Sequence, residues 1–306
     1  MASRNGDAGT PHPKRLLIIH NPTAGRSWGW FFRDVATALA GLGCDLTIQT
    51  TTQRGDAEDF ARLADYVTFD AVVAAGGDGT IGEVVNGLLS RDAESPIVPL
   101  GFIPLGTANV LAAEIGLPTN AEALARTITA GSRLRCYPGV ANGRAFMMMA
   151  GVGFDAHVVN TVSASLKNRI GKGAYVWAAI RELLRRDSGR YDVIVEGRTM
   201  SAASVVVGKG RFYGGRYICT PDARLDKPSF QICLFKRSGA WASIRYILGL
   251  MRGALPRLKD VVLIETDHVR IEGRFGDPVQ GDGDIFTSLP LDIRIADKSI
   301  DLLAPV

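Results

Sequence analysis

The apolar run within Phe69-Asp70-Ala71-Val72-Val73-Ala74-Ala75 predicts a short buried strand, and Ile81, Val84, Val85, Leu88 and Leu89 follow at helical spacing. Between them stand Gly76-Gly77-Asp78-Gly79-Thr80, so this loop must turn a strand into a helix within a few residues. Glycine tolerates positive φ at such a turn and lets a ligand approach the backbone, while the unpaired N–H groups opening the next helix attract anions. Asp78 is the odd member. A carboxylate among phosphate-binding amides repels phosphate unless it holds a divalent cation or accepts a proton, so the loop points to metal-assisted phosphoryl chemistry. A plainer reading stands beside this one: Thr80 and Glu83 fit a Ser/Thr-x-x-Glu capping box, and Gly-Asp-Gly is common in ordinary turns.

The rest of the N-terminal half decides between them. Strand-like runs at Leu16–His20, Asp45–Thr50, Ala71–Ala75 and Ile97–Ile103 alternate with helical patterns near Trp30–Leu42, Ala57–Ala64, Ile81–Leu89, Val110–Ile115 and Ala121–Thr129. This predicts an α/β domain with a mostly parallel sheet. Ligands in such domains bind beyond the carboxyl ends of the strands. Four loops lie there: His20–Arg26, Thr51–Ala57, Gly76–Thr80 and Pro104–Asn109, each rich in Gly, Thr or Asn. Hydroxyls, amides and exposed N–H groups after four successive strands suit a nucleotide better than turn chemistry alone. Neither a Gly-x-x-x-x-Gly-Lys-Ser/Thr loop nor a Gly-x-Gly-x-x-Gly fingerprint after the first strand is present.

From Arg133 onward the pattern becomes largely β, with strands expected at Arg144–Ala150, Tyr191–Glu196, Ala203–Gly208, Phe230–Phe235, Val261–Glu265, Val269–Glu272 and Leu291–Ile295, and helices at Ile170–Arg186 and Ala240–Leu255. Charge divides along the same line. Residues 1–130 carry 9 of the 35 Lys and Arg and 14 of the 31 Asp and Glu, so net charge is −5 there and +9 over residues 131–306. A basic half suggests an anionic partner. Cys44, Cys136, Cys219 and Cys233 form no Cys-x-x-Cys pair and fit a reducing, cytoplasmic setting, and the four histidines, at 12, 20, 157 and 268, have no ligand spacing. Residues 1–13 are expected to be a flexible tail, and no run reaches the ~18 apolar residues of a membrane span.

With these loops in hand, the chain resembles the diacylglycerol kinase catalytic-domain family, the bacterial lipid kinases related to sphingosine and ceramide kinases. The resemblance rests on Asn21-Pro22-x-x-Gly25, Thr51-Thr52-x-x-Gly55-Asp56-Ala57, Gly76-Gly77-Asp78-Gly79-Thr80-x-x-Glu83-Val84-x-Asn86-Gly87-Leu88 and Pro104-Leu105-Gly106-Thr107-Ala108-Asn109. Gly151–Ala156, Tyr213-Gly214-Gly215, Pro221-Asp222-Ala223 and Asp282-Gly283-Asp284 extend it over nearly the whole chain. It implies an α/β ATP-binding domain over residues 14–134, completed by 297–306, and a mainly antiparallel β-sandwich lipid-substrate domain over 135–296, with ATP and Mg²⁺ in the cleft between them.

Carried over by position, the resemblance implies nucleotide contacts from Asn21, Thr23, Gly25 and Arg26, from Thr52, from Gly76, Gly77, Gly79, Thr80 and Glu83, and from Thr107 and Asn109. Asp282 is expected to be the base that takes the lipid hydroxyl proton, with Asp78 as its electrostatic partner and Asp78 and Asp284 as metal ligands. Related sphingosine kinases are described with the glycine-loop Asp as base. Asp155, Lys209 and Tyr213 are expected on the substrate side. Two residues depart from the family pattern: Asp284 stands where Glu is usual, and Lys209 stands where a small polar residue such as Asn is usual, which would let it meet a phosphate or an anionic head group.

Two segments, Lys167–Arg186 and Lys236–Lys259, combine basic ends with apolar, aromatic centres and suit a membrane interface, although a basic solvated face over a packed helix has the same signature. The expected partners are a lipid substrate and an anionic membrane surface on the cytoplasmic side, with a homodimer as the candidate assembly and no nucleic acid. The competing functions are an NAD kinase, whose fold is related, and a nucleotide-binding membrane regulator without turnover.

Overall fold

A computed structural model describes residues 14–25, 29–92, 98–153 and 189–306. The expected tail at 1–13, Arg26, Asp155 and the expected helix at Ile170–Arg186 lie outside the described residues.

The first half alternates β1 (Arg15–His20), α1 (Gly29–Gly41), β2 (Asp45–Thr50), α2 (Asp56–Leu63), β3 (Ala71–Gly76), α3 (Asp78–Leu89), β4 (Leu100–Pro104), α4 (Val110–Glu114), α5 (Ala121–Ala130) and β5 (Ser132–Cys136). There follow β6 (Gly139–Ala141), β7 (Arg144–Phe146), β8 (Met149–Val152), β9 (Tyr191–Val195), β10 (Arg198–Ala202), β11 (Ser204–Gly208), β12 (Phe212–Tyr213) and β13 (Tyr217–Ile218). The remainder is β14 (Phe230–Phe235), α6 (Ala240–Met251), β15 (Val261–Thr266), β16 (His268–Glu272), β17 (Pro278–Gly281), β18 (Asp284–Ser288), β19 (Leu291–Ile295) and β20 (Ile300–Ala304).

The first sheet has the order β2-β1-β3-β4-β20-β5 and is parallel except for the β20–β5 pair. Its inner strands β1, β3, β4 and β20 are buried on both faces, as parallel strands covered by helices must be, while the outer strands β2 and β5 are largely exposed. Leu16 and Ile18 of β1 point into one core with Val35 and Leu39 of α1 and Leu124 and Ile128 of α5. Leu17 and Ile19 point the other way, into a core with Ala57 and Ala61 of α2 and Ile81, Val84 and Val85 of α3. The period of two along one strand thus sorts the helices into two layers.

Two six-stranded antiparallel sheets, β10-β9-β16-β19-β6-β7 and β15-β14-β11-β8-β17-β18, follow, together with the two-stranded β12-β13. The two larger sheets face each other across a core that includes Val193, Ile271 and Ile293 from one and Val152, Val207, Ile232 and Val279 from the other. The architecture is therefore an α/β half with a mostly parallel sheet followed by a mainly antiparallel sandwich. No helix among the described residues is long and apolar enough to cross a membrane.

One expectation is corrected. Arg144–Ala150 is not a single strand: β7 and β8 belong to different sheets, and the chain passes between the sheets at Met147-Met148. Ala145 to Ala150 are all buried, so the sequence is apolar on both sides of the break and carries no polar mark of it.

α2 and α3 pack closely at Gly87, where a Cβ would lie 2.3 Å from the Glu58 carbonyl oxygen and 2.8 Å from the Ala61 Cβ. Replacing an interior helical glycine by alanine gains up to about 1 kcal/mol of helix propensity, and overpacking costs about 1–3 kcal/mol. Gly87→Ala is therefore expected to lower the unfolding free energy by roughly 1–2 kcal/mol, measured by urea denaturation. An unchanged or raised midpoint would show that the two helices separate freely.

Candidate active site

The loops after β1, β3 and β4 converge. Asn21 donates from its backbone to the Ala75 carbonyl at 2.9 Å and from its side-chain amide to Thr80 Oγ1 at 3.1 Å. Its carbonyl Oδ1 accepts the Thr23 backbone N–H at 3.0 Å and the Thr23 hydroxyl at 2.8 Å, so one side chain fixes the first loop and ties it to the third. Thr80 is thus engaged by Asn21. The capping box is not formed: α3 opens at Asp78 behind Gly77, whose extended backbone (φ −95°) carries no side-chain cap.

The glycines serve close approach rather than unusual dihedrals, since Gly76, Gly77 and Gly79 are not among the positive-φ residues. A Cβ on Gly76 would fall 2.3 Å from Thr80 Oγ1, and one on Gly106 would fall 2.7 Å from the Gly77 Cα, so the third and fourth loops touch backbone to backbone. Asn109, in the left-handed region at φ 46°, accepts the Gly106 N–H at 2.9 Å and donates to the Gly106 carbonyl at 2.7 Å. This closed turn leaves Thr107 exposed. In the second loop, Asp56 Oδ2 accepts the Thr52 N–H at 2.7 Å, the Thr52 hydroxyl at 2.8 Å and the Gln53 N–H at 3.0 Å. The Thr52 backbone bond leads in holding the Asp56 carboxyl below the usual range. Gly25 has φ 61°, and Glu83 is half-buried on α3.

The acid pair comes from the β17–β18 turn. Asp282 sits in the left-handed region at φ 50°, a conformation Asp tolerates better than most residues, and Gly283 follows at φ 90°. The Asp282 N–H donates to the Met149 carbonyl at 3.0 Å. Its carboxylate accepts three consecutive backbone N–H groups: Met147 on Oδ2 at 2.7 Å, and Met148 and Met149 on Oδ1 at 2.8 and 2.9 Å. These groups flank the crossing between β7 and β8. The same turn brings Asp284 across to the glycine loop, where its Oδ2 lies 3.1 Å from the position of a Cβ on Gly79.

Asp78 therefore faces acids from the far end of the chain. Burial pushes its carboxyl up to about 6; N–H groups opening α4 oppose this and the Asp282 charge adds to it. The contact to the Leu111 N–H is long, at 3.4 Å. Burial also raises the Asp282 carboxyl, with the charge of Asp284 adding, against the pull of the three N–H donors. Among the described residues, no group of three or more His, Cys, Asp and Glu side chains is arranged to hold a metal ion.

Three polar links join the two halves around this site. Asn86, on α3, accepts the Ala145 N–H at 2.9 Å and donates to the Ala145 carbonyl at 3.0 Å, pairing with β7 as a strand would. Arg144 donates to both oxygens of Glu58 at 2.9 and 2.8 Å. Glu114, the last residue of α4, accepts the Arg211 and Phe212 N–H groups at 3.1 and 3.2 Å and the Arg211 guanidinium at 2.9 Å. The sequence reading gave these residues no joining role. The available signal was Asn86, a lone amide in the otherwise apolar Val84–Leu89 stretch.

Lys209 corrects another expectation. It is fully buried, and its ammonium donates to the carbonyls of Arg224, Lys227 and Ser229, which leaves no proton for a phosphate or head group. Tyr213 is half-buried beside the core shared by the two halves.

Residues 15–137 match the family model of the diacylglycerol kinase catalytic domain, and residues 148–304 match that of the YegS C-terminal NAD kinase beta sandwich-like domain. The chain belongs to the diacylglycerol kinase catalytic-domain family. It is similar to the diacylglycerol kinases of Staphylococcus aureus strains bovine RF122 / ET3-1 and JH9, each 28% identical over 299 residues that cover 95% of this chain and 93% of theirs. A crystal structure of a diacylglycerol kinase from Bacillus anthracis strain Sterne superposes with a TM-score of 0.78 at 26% identity, over 96% of this chain and 98% of that one.

In this family member, a carboxyl whose pKa rises from 3.8 to about 6 on folding holds its proton more tightly in the native state. Stability should then fall as pH rises from about 4 to about 6, by on the order of 3 kcal/mol at most. Asp78→Asn is expected to remove that decline and to unfold at higher urea than the wild type at pH 7. Equal pH dependence in the two proteins would show that Asp78 is ordinarily ionised.

Proposed function

We propose that this chain is an ATP- and Mg²⁺-dependent lipid kinase, transferring the γ-phosphate to a hydroxyl of diacylglycerol, a sphingoid base or a related lipid between the α/β half and the sandwich. The observation that carries this reading is the approach of Asp284 to Gly79. It sets a carboxylate from the second half beside the loop best suited to phosphates. Phosphoryl transfer needs little covalent chemistry from a protein. It needs positioned phosphates, a divalent ion and a carboxylate in reach of the attacking hydroxyl.

The N–H groups and hydroxyls of the converging loops, with Asn21, Thr23, Thr52, Thr80 and the exposed Thr107, supply the phosphate and ribose contacts in this proposal. Asp78 and Asp284 would hold Mg²⁺. Two carboxylates suffice for this ion, which keeps several waters and takes phosphate oxygens as further ligands. Its charge would offset what develops on the transferring group.

The geometry favours a division of labour among the acids. Asp282 already accepts three N–H bonds at 2.7–2.9 Å, which suits a residue that positions the Gly281–Asp284 turn. Asp78, whose burial keeps its carboxyl near 6 against the N–H groups opening α4, is better matched to taking a proton near neutral pH. In that reading kcat/KM rises with pH to a plateau above about 6. Asp282→Asn weakens turnover but keeps this limb, whereas loss of the limb in Asp282→Asn returns the role of base to Asp282.

The proposal also places the protein at an anionic membrane surface. Trp241, Ile244, Leu248 and Met251 are exposed along α6 at spacings of three, four and three residues, Trp241 to 85%. Exposed Tyr217 and Ile218 lie on β13, against which α6 packs. Arg237, Arg245 and Arg252 lie on or beside α6, and basic residues near an anionic surface contribute about 1 kcal/mol each.

Two measurements test the function. Transfer of labelled phosphate from ATP to a panel of lipids and to NAD is expected for a lipid acceptor alone. Labelling of NAD would favour the nucleotide kinase, and no labelling would favour a regulator without turnover. Co-sedimentation with vesicles containing anionic phospholipid is expected at low salt and should weaken several-fold in Trp241→Ala. Failure of the wild type to bind would remove the membrane proposal.

A further inference from the structure

Lys209 follows β11 directly and is fully buried. Its ammonium lies 3.1 Å from the Arg224 carbonyl oxygen, 2.6 Å from that of Lys227 and 2.7 Å from that of Ser229. All three acceptors are neutral main-chain oxygens from one loop, and three donors meet them one to one. Burial draws the lysine pKa down to about 8, so the group remains a cation at neutral pH.

Three convergent carbonyls cannot satisfy one another. Each is an acceptor, their dipoles point at a common centre, and an empty centre would leave part-buried oxygens repelling one another, with the Lys227 N–H at 3.4 Å as a second donor to the Arg224 carbonyl. Proteins usually fill such a cage with a hard cation held by oxygen ligands. Here the chain brings its own. We infer that the Lys209 ammonium is a tethered cation occupying a carbonyl cage formed by Arg224, Lys227 and Ser229, so that the 224–229 loop is held in place without any bound ion.

The cage lies in a connected part of the fold. The Leu225 carbonyl, inside the same loop, accepts the Tyr137 N–H at 2.9 Å, between β5 and β6, where the chain leaves the first sheet for the second. The backbone N–H of Lys209 donates to the Met148 carbonyl at 2.8 Å, and the N–H of Met148 is one of the three on Asp282. Lys209 thus joins the loop, the exit from the α/β half and the cradle of Asp282. It is a positioning residue, several bonds from any reacting group.

The inference is independent of the acceptor lipid and of catalysis. It is tested on the full chain with two variants, Lys209→Ala, which empties the cage, and Lys209→Met, which keeps the aliphatic stem and removes the charge. Thermal unfolding is followed with NaCl as the ionic-strength control and with ammonium chloride, methylammonium chloride or MgCl₂ as probes. The wild-type Tm should be the same with EDTA as with ammonium or methylammonium, and the effect of MgCl₂, which the proposed Asp78 and Asp284 site also takes, is read as the difference between variant and wild type. Lys209→Ala should melt roughly 5–10 °C lower and recover at least half of the loss in ammonium, methylammonium or magnesium but not in NaCl alone. Lys209→Met should lose as much and recover little, because its side chain still fills the site.

If Lys209→Ala does not fold without added ions, expression and refolding with and without MgCl₂ or ammonium give the same reading, and refolding that depends on either ion supports the cage. Three results would overturn the inference: a wild-type Tm that ammonium or methylammonium raises above its value in EDTA, a Lys209→Ala protein as stable as the wild type in EDTA, or a Lys209→Ala deficit relative to the wild type that no probe cation repairs.

Discussion

One carboxylate accepting three successive peptide N–H groups holds the centre of this molecule. Where the chain passes from β7 to β8 it changes sheets, and a changing strand leaves N–H groups without ladder partners. Asp282 supplies those partners from a turn more than a hundred residues later. The cost of burying the acid is offset by the donors it satisfies, and the donors are satisfied only while the acid is there. The turn that carries Asp282 also carries Asp284, so the bond that closes the sandwich at this corner also sets an acid opposite the glycine loop.

Around that point the two halves share an apolar core and are joined by polar pairs as well. Asn86 reaches from α3 to the main chain of β7, so the helix that begins at the glycine loop ends its grip beside Asp282. α4 works in parallel: its first N–H groups face Asp78 while its last residue, Glu114, holds Arg211 and Phe212. Short helices with both ends occupied in this way transmit position well, because neither end can shift without breaking a hydrogen bond.

Much of this was legible in the residues. The α/β half could be read because its strands are apolar runs, its helices keep their period, and its loops fall after each strand. The glycine loop and the acid pair were recognisable as chemistry, and the structure brings Asp78, Asp282 and Asp284 together. The split of Arg144–Ala150 was not legible, since an apolar stretch looks the same whether it stays in one sheet or crosses to another. The reason for the glycines was also misread: they permit contact between loops, a fact about neighbours that local sequence does not hold. Lys209 looked like a cation open to a phosphate or an anionic head group because lysine is seldom buried, and only three carbonyls from the 224–229 loop make its burial possible.

The placement of β20 has a consequence for how the chain comes to be folded. This strand lies between β4 and β5 in the first sheet, parallel to one and antiparallel to the other. Among the described residues β5 has no other strand beside it. During synthesis β1 to β4 can pair as they emerge, but β5 must wait through the whole sandwich for residues 300–304 before its edge is joined. The α/β half is therefore sealed by a strand made only after the whole sandwich, and loop closure over so long a separation is slow. Until then the nascent chain carries an open sheet edge at β4, of the kind that invites pairing with the wrong partner.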